Sequence, residues 1–596
     1  MKQLRKSGIL AACLLAGMAP GEERRLVWQP VLEYLLKEGV TKPATSSDGS
    51  LAINPFVSYT HIGTDFGFHG PGGRYLSWEN GRISLALKDT QDWAGMWHSL
   101  AGQARDGSEV MDFARAYGGA IVDKWQPRIV ALLVNGQGKG RLKMEIKSPA
   151  QELLWQKEVT LTGSGNPSPV PLPCDQIRLA KFLNWTAEPG SEVSLSSVRL
   201  GFELPAMSFE RYVLLSSYAK LFRCYAPVTG MVRDRAHIEQ GAFESTPATG
   251  LFGLATAIMA HPSVQMVDVD FAKHVVRKIH TNVEGIATAK GLLPHFVKRM
   301  DGQLRIHPGT EYSTVDTALY SQSMLLAAQI LNDSVLQKSV LDHLRKVQIR
   351  DLVLPNGAVS HGLRDDGSSL IPFSWRDWGG ETALVMLMAR MIDPTIKFDG
   401  MDGNGKAWQG TGFIAEIQSL LHPDFDSTTP DAVSGVNWLD ARKSMLKAQK
   451  DYFPAKYPGS FAAKMGLFGL SAGEGALGTR YEVGGVDLPA QELIHPHYIL
   501  MAGSVDESPK AIYDLLHRME HAGYFTPWGL VENITADGKN YLPMFSALNA
   551  CFETLGAYHL LTKSTGTEDI IHRASRDLKE IRAAMKLFYP TAVAGH

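Results

Sequence analysis

The chain has 596 residues, 44% of them apolar and 20% charged, with 59 Lys+Arg against 61 Asp+Glu and a formal net charge of −2. That much apolar content at so little net charge excludes a disordered chain and fills two to four domains at roughly 150 residues each. Without a cationic excess there is no electrostatic footprint for nucleic acid or for an acidic membrane surface.

The N-terminus carries Lys2, Arg5 and Lys6 before an apolar run, Ile9 to Pro20. A basic segment followed by about a dozen apolar residues has the layout of a secretory signal, and a plain N-terminal helix is the alternative. The expected location is therefore a bacterial periplasm or outside the cell. Leu10-Ala-Ala-Cys13 resembles a lipidation box but lacks a long apolar run before it. No other stretch is long and apolar enough to span a bilayer. Cys13, Cys174, Cys224 and Cys551 form no C-x-x-C pair. They read as isolated thiols, with a Cys174–Cys224 bridge open to an exported chain.

From Leu51 to Leu204 the pattern is short and alternating. Arg141–Lys147, Glu158–Thr162 and Glu192–Phe202 alternate with period two, and Ala187-Glu-Pro-Gly190 is a turn. These predict half-buried strands of a β-sandwich of jelly-roll type. After Leu204-Pro205 the period becomes helical. Helices are predicted over Phe209–Tyr225, Pro247–Ala260, Phe271–Val283, Ser313–Leu331, Ser334–Ile349 and Glu381–Ile392. More follow over Asn437–Asp451, Ser508–Ala522, Ser546–Leu561 and Thr567–Lys586. Paired helices with long loops between them predict an α/α toroid whose function lies in its loops. The expected division is a leader and linker over 1–48, a sandwich over 49–205 and a helical catalytic domain over 206–596.

Five loops carry chemistry-bearing residues. Ser374-Trp375-Arg376-Asp377-Trp378-Gly-Gly-Glu381 places two indoles and two carboxylates where a loop enters a helix. Indole faces suit sugar C–H surfaces. A carboxyl walled by indoles has its charged form disfavoured, as a general acid needs, although the helix N-terminus pulls the other way. Glu311-Tyr312-Ser313-Thr314-Val315-Asp316 opens another helix, with Ser313 and Asp316 forming a capping box, and His295 precedes it. Arg233-Asp234-Arg235 is an ion-pair cluster or a hydroxyl binder. Gly466 to Gly475 contains Glu474, and Tyr524 to Asn533 contains Phe525, Trp528 and Glu532. The glycine-rich segment lacks a phosphate loop's Lys-Ser/Thr ending. Gly469-Leu-Ser471-Ala-Gly473 matches a nucleophile elbow without the buried strand that an elbow needs. There is no His-Glu-x-x-His, and His495-Pro-His497 stands alone. No metal ligand set and no cofactor is therefore expected. Carboxylates among aromatics in long loops suit glycoside hydrolysis, in which two carboxyl groups flank the scissile bond.

Five blocks in order, Thr229–Arg235, Pro247–Ala255, Tyr312–Leu319, Trp378–Leu387 and Gly466–Gly475, resemble the glycoamylase-like domain that includes the endo-β-1,2-glucanases of glycoside hydrolase family 144. The resemblance spans roughly Phe209 to Leu561. It implies an (α/α)6 barrel and metal-independent, anomer-inverting hydrolysis of a β-1,2-linked bacterial glucan. It places the general acid on Glu381 and another functional acid on Asp316. Family members carry further acids just before that position; here Ser313 and Thr314 stand there, with Glu311 close by. Trp528–Asn533 replaces the family's Gly-Phe-Asp-Ala-Phe-Asn loop.

The expected catalytic set is thus Glu381, Asp316 and Glu311. The expected sugar binders are Trp375, Trp378, Arg233, Asp234, Arg235, His295, Glu474, Phe525, Trp528 and Glu532, and the partner is an oligo- or polysaccharide. Two alternatives stand beside this reading. One is a polysaccharide lyase with Tyr312 or His361 as base. The other is a non-catalytic glycan-binding protein on the same fold.

Overall fold

A computed structural model describes residues 25–30, 66–79, 82–99, 120–163, 168–173, 176–177, 180–236, 243–398, 400–476 and 480–590. The expected leader, the linker to residue 48 (apart from 25–30) and Cys174 lie outside them. Among the described residues, Cys224 and Cys551 are buried free thiols. The chain divides into two compact units, one ending at Tyr212 and the other beginning at Val213.

The first unit is built on strands. Ten of them pair antiparallel: β1 Arg25–Pro30, β2 Phe66–His69, β3 Leu76–Glu79, β4 Arg82–Ala86, β5 Ala94–Ser99, β6 Arg128–Lys147, β7 Leu153–Gly163, β8 Ser168–Pro171, β9 Phe182–Ala187 and β10 Glu192–Leu204. Their order is β2-β5-β9-β6-β10-β4-β3, with β1 on β10 and with β7 and β8 both on β6. Strand β6 changes partners along its length. Residues 128–139 pair with β10, and 142–147 pair with β9 while their other edge pairs with β7. The three alternating segments of the sequence fall inside β6, β7 and β10. The inward set Leu142, Met144 and Ile146 is wholly buried, as are Leu195, Leu200 and Phe202. Gly190, at φ +78, closes the turn before β10 in a conformation that other residues disfavour.

The second unit is helical. Its helices are α1 Phe209–Cys224, α2 Thr246–Ala260, α3 Val269–Glu284, α4 Thr314–Ile330, α5 Ser334–Leu344, α6 Gly380–Ile392 and α7 Gly412–Leu421. They continue as α8 Trp438–Lys456, α9 Phe461–Met465, α10 His497–Ala502, α11 Pro509–Ala522, α12 Ala547–Thr565, α13 Ile570–Asp577 and α14 Lys579–Met585. Two kinds alternate. In α2 and α10 every residue is buried, and in α4 every residue except Gln329 is. Such helices lie inside a fold. By contrast α3 buries one stripe, Ala272, Val275, Val276, Ile279 and Val283, and α11 buries Ile512, Leu515, Leu516 and Met519.

The buried helices meet in sequence: α2 packs on α4, α4 on α6, α6 on α7, α7 on α10 and α10 on α12, which returns to α2. The striped helices back them: α3 on α2, α5 on α4, α8 on α7 and α11 on α12. Where α6 and α7 have no striped partner preceding them in the chain, the C-terminal pair supplies it, α14 covering α6 and α13 covering α4 and α7.

The predicted helices occur, with three differences. The Ser334–Ile349 prediction ends at Leu344, and a 3₁₀ turn, Ile349–Leu352, follows. Thr567–Lys586 breaks into α13 and α14 because buried Leu578 is extended. Helices α7 and α10 were not foreseen. Among the described residues no helix is long and apolar enough to cross a membrane.

Candidate active site

Loops of the helical unit enclose a cavity of about 1180 Å³. The N-termini of α4 and α6 open into it and set its carboxylates. The Ser313 hydroxyl accepts the Asp316 N–H at 3.2 Å, capping α4 and leaving the Asp316 carboxyl in the cavity wall. Just before it, Tyr312-Ser313 pairs with Gly362-Leu363. Gly362 sits at φ +145, where a Cβ would stand 1.9 Å from the Tyr312 carbonyl, so only glycine fits. Helix α6 starts at Gly380, whose missing side chain lets it lie against Gln418 and Ile417 of α7. Glu381 therefore faces the cavity from the first turn of α6.

One group of charges surrounds His295. Its Nδ1 lies 2.9 Å from Glu311 Oε1 and 3.6 Å from Asp316 Oδ2, and its ring stacks on Phe296 at 3.7 Å. Burial alone would lower the imidazole, but Asp316, Glu311 and Asp234 outweigh it and hold His295 at about 9, charged at neutral pH. Burial would raise Glu311, yet the hydrogen bond and charge of His295 bring it below the usual range. Asp316 is raised by burial, with His295 and the Ser313 hydroxyl opposing.

Among the described residues Glu381 has no such donor. Burial first, and then the charge of Asp316, push it up to about 7. The α6 N-terminus favours the anion by only about 0.3–1 kcal/mol, so desolvation wins. Glu381 is thus a carboxyl that keeps its proton up to about pH 7, and Glu311 an ionised one.

A second group faces it. Arg235 Nε donates to Glu474 Oε1 at 2.5 Å and lies 3.9 Å from Asp234 Oδ2. Burial raises Glu474 to about 7 against the pull of Arg235. Its Oε2 is buried without a hydrogen-bond partner among the described residues. Burial also raises Asp234, with Arg235 and His295 opposing.

The expected aromatics separate into two sets. Trp375 lines the cavity, stacked on His361 at 4.0 Å, and its indole N–H donates to Thr314 Oγ1 at 2.7 Å. Ser313 and Thr314, which replace acids of the resembled family, thus serve as helix cap and indole anchor. Trp378 reaches the wall but is 1% exposed and packs on Trp438 at 4.5 Å, which leaves no free face for a sugar.

Phe525 and Trp528 do not line the cavity. Both are core residues, and the Arg223 guanidinium covers the Trp528 ring at 4.6 Å. Arg233 is buried off the cavity as well. Glu532 lies behind Glu474, accepting the Glu474 backbone N–H at 3.3 Å and the Asn549 amide at 2.6 Å. Tyr312 is buried and also off the wall. Ser471 of the elbow-like motif is wholly buried, beside His497 Nε2 at 3.1 Å and the Phe413 N–H.

Three exposed aromatics on the wall were missed: Phe373 at 68%, Tyr481 at 48% and Trp408 at 45% exposure. Tyr481 was reachable, because it lies cross-strand from Glu474. His295, Glu311 and Asp316 also present their ligand atoms within 4.8 Å of one another, a spacing that could hold a metal ion, and so do His559, Asp569 and His572.

No protein-family model matches the chain, and no curated protein does. Solved structures do. The β-1,2-glucanase of Parabacteroides distasonis superposes with a TM-score of 0.54 at 11% identity, over 95% of this chain and 100% of that one. The putative glucoamylases of Bacteroides caccae and Bacteroides uniformis superpose at 0.51 and 0.52, with 13% and 12% identity, each over 64% of this chain and 98% of its own. The chain has the fold of these glucanase and glucoamylase-type structures.

Proposed function

We propose that this cavity hydrolyses a bacterial glucan, β-1,2-linked by preference, with inversion at the anomeric carbon. The observation that carries the reading is the pairing, in one aromatic-lined cavity, of a carboxyl raised to about 7, Glu381, with carboxylates held around a charged histidine, Glu311 and Asp316. Glu381 protonates the glycosidic oxygen. Glu311 or Asp316 takes the proton of the attacking water on the opposite face of the sugar, and His295 keeps Glu311 ionised for that task. Trp375, Phe373, Trp408 and Tyr481 offer aromatic surface to sugar rings. Arg235, Asp234 and Glu474 bind hydroxyls.

The linkage preference takes its support from the shared fold with the Parabacteroides distasonis β-1,2-glucanase. The closed succession of six buried helices backed by striped ones supports an (α/α)6 toroid. The change of partners along β6 supports a jelly-roll sandwich. The basic and apolar start of the sequence supports export to the periplasm or beyond. A lyase is the weaker reading, since Tyr312 lies buried off the cavity and His361, though it lines the wall, is stacked against the Trp375 indole.

The test is reducing-end release from a panel of linear and cyclic β-glucans, with wild type beside Glu381→Gln and the anomer of the first product read by NMR. Cleavage of one polymer to the inverted anomer, lost in the variant, is the expected result. A product absorbing through a new double bond would mean a lyase. Retardation by a glucan in a gel without cleavage would mean a binding protein.

A further inference from the structure

The C-terminal helices bring together three ligand-type side chains that hydrolysis does not use. His559 lies in α12, Asp569 caps α13 and His572 sits in the first turns of α13; none of them lines the cavity. Asp569 Oδ1 accepts the N–H groups of Ile571 and His572 at 3.0 and 3.1 Å, which fixes the carboxylate and turns Oδ2 toward the histidines. His559 Nε2 lies 2.8 Å from the Leu420 carbonyl, and His572 Nε2 lies 2.8 Å from the Ser419 carbonyl, both in the last turn of α7. A carbonyl only accepts, so each Nε2 carries a hydrogen and Nδ1 is the atom left to bind an ion: a lone pair on His572, and on His559 a nitrogen that shares a proton with Asp569 until an ion displaces it. Both Nδ1 atoms face Asp569 Oδ2: His559 touches it, and His572 is 3.8 Å away. The three ligand atoms all lie within 4.8 Å of one another.

An imidazole held by a hydrogen bond from its far N–H to a carbonyl is the usual support of a metal-ligating histidine. A His559–Asp569 ion pair explains only part of this arrangement. It leaves His572 Nδ1 without a hydrogen-bond partner among the described residues. The charge of Asp426 bears on both imidazoles, and Asp424 faces His572.

We propose that His559 Nδ1, Asp569 Oδ2 and His572 Nδ1 hold one zinc-class divalent ion that fastens α13 to α12 and to the end of α7. Two imidazoles and one carboxylate suit zinc rather than calcium or magnesium, which prefer all-oxygen sites. Binding releases the proton that His559 otherwise holds against Asp569. A water completes the coordination, since His572 and Asp569 keep 15% and 18% of their side-chain surface exposed.

The test uses the full chain, stripped with a chelator and titrated with zinc chloride, reading bound metal by dialysis and the thermal unfolding midpoint. One equivalent bound, with a rise of about 3 °C at a hundredfold excess over Kd, is the expected result. His572→Ala, which spares the ion pair, and Asp569→Asn, which keeps the cap, each lose the equivalent or bind it at least tenfold more weakly. Glu311→Gln, in the other histidine–carboxylate cluster, keeps it. No zinc bound by wild type, undiminished binding in both C-terminal variants, or loss in Glu311→Gln instead would each overturn the assignment. None of these readouts depends on glucan cleavage.

Discussion

Glu381 gains its proton from desolvation and loses stability by the same cause. The general acid must be protonated, so hydrolysis is expected to fall as pH rises through about 7. It is expected to fall also at low pH, where Glu311 becomes protonated, and a kcat profile across pH 4–9 checks both limbs. Glu381→Gln is expected to lower kcat by roughly 10²–10⁴. The same substitution is expected to stabilise the fold. Glu381 is raised from 4.5, so wild type is unpenalised below about 4.5, loses stability as pH rises through about 7, and stays penalised above it. The neutral amide escapes that loss. Glu381→Gln should therefore be more stable than wild type by about 1–3 kcal/mol at pH 8 and equal to it at pH 4, as read by chemical denaturation at the two pH values. Equal stability at pH 8 would mean that the carboxyl is solvated. His295, held at about 9, adds to the same alkaline loss between about 6.5 and 9. The carboxylates were legible in the sequence because they sit in loops that open helices, where side-chain direction follows from the helix start. The aromatics were not. Whether Trp528 or Trp408 faces a cavity depends on which long-range contact covers it, and nothing local encodes the Arg223 guanidinium lying over Trp528.

At the scale of elements, the site depends on two helix starts. Ser313→Ala removes the side-chain cap of α4 and is expected to cost about 1 kcal/mol in a denaturant melt. Gly380→Ala puts a Cβ 2.3 Å from Gln418 Oε1 and 2.4 Å from Ile417 Cγ2. Overpacking of that kind costs about 1–3 kcal/mol, and it should also impair kcat because it shifts the turn that carries Glu381. Wild-type melting of Gly380→Ala would mean that α6 and α7 part easily. These starts were legible from Ser313 and from the glycine pair before Glu381. The missed helices α7 and α10 show where periodicity fails. A helix buried on all sides has no polar face, so its apolar residues do not recur at 3.6; α10, six residues all buried, offers only an apolar run. Helices α2 and α4 were legible despite the same burial because apolar residues still recur at i, i+3, i+4 and i+7 along their fifteen and seventeen residues.

At the scale of the molecule, the cavity rests on a ring that the chain completes only at its end. Helices α4, α6 and α7 carry Asp316, Glu381 and the α6 contact, and α13 and α14 cover their outer sides. Removing residues 567–596 would expose that surface and discard Ile570, Ile571, Leu578, Ile581, Met585 and Phe588, all nearly inaccessible. Each such side chain is worth about 1.5–3 kcal/mol when buried, and the apolar faces of α4, α6 and α7 beneath them would be opened to water at the same time, against the 5–15 kcal/mol of net stability that a domain holds. A chain ending at Gly566 is therefore expected to lose cooperative unfolding and all hydrolysis. A chain starting at residue 206 should behave in the opposite way. It keeps α1 whole and retains every residue that lines the cavity. Circular dichroism melts and glucan cleavage by the two shortened chains, side by side, check the pair. A cooperative melt from the chain ending at Gly566 would show that the inner helices hold their ring without the C-terminal pair.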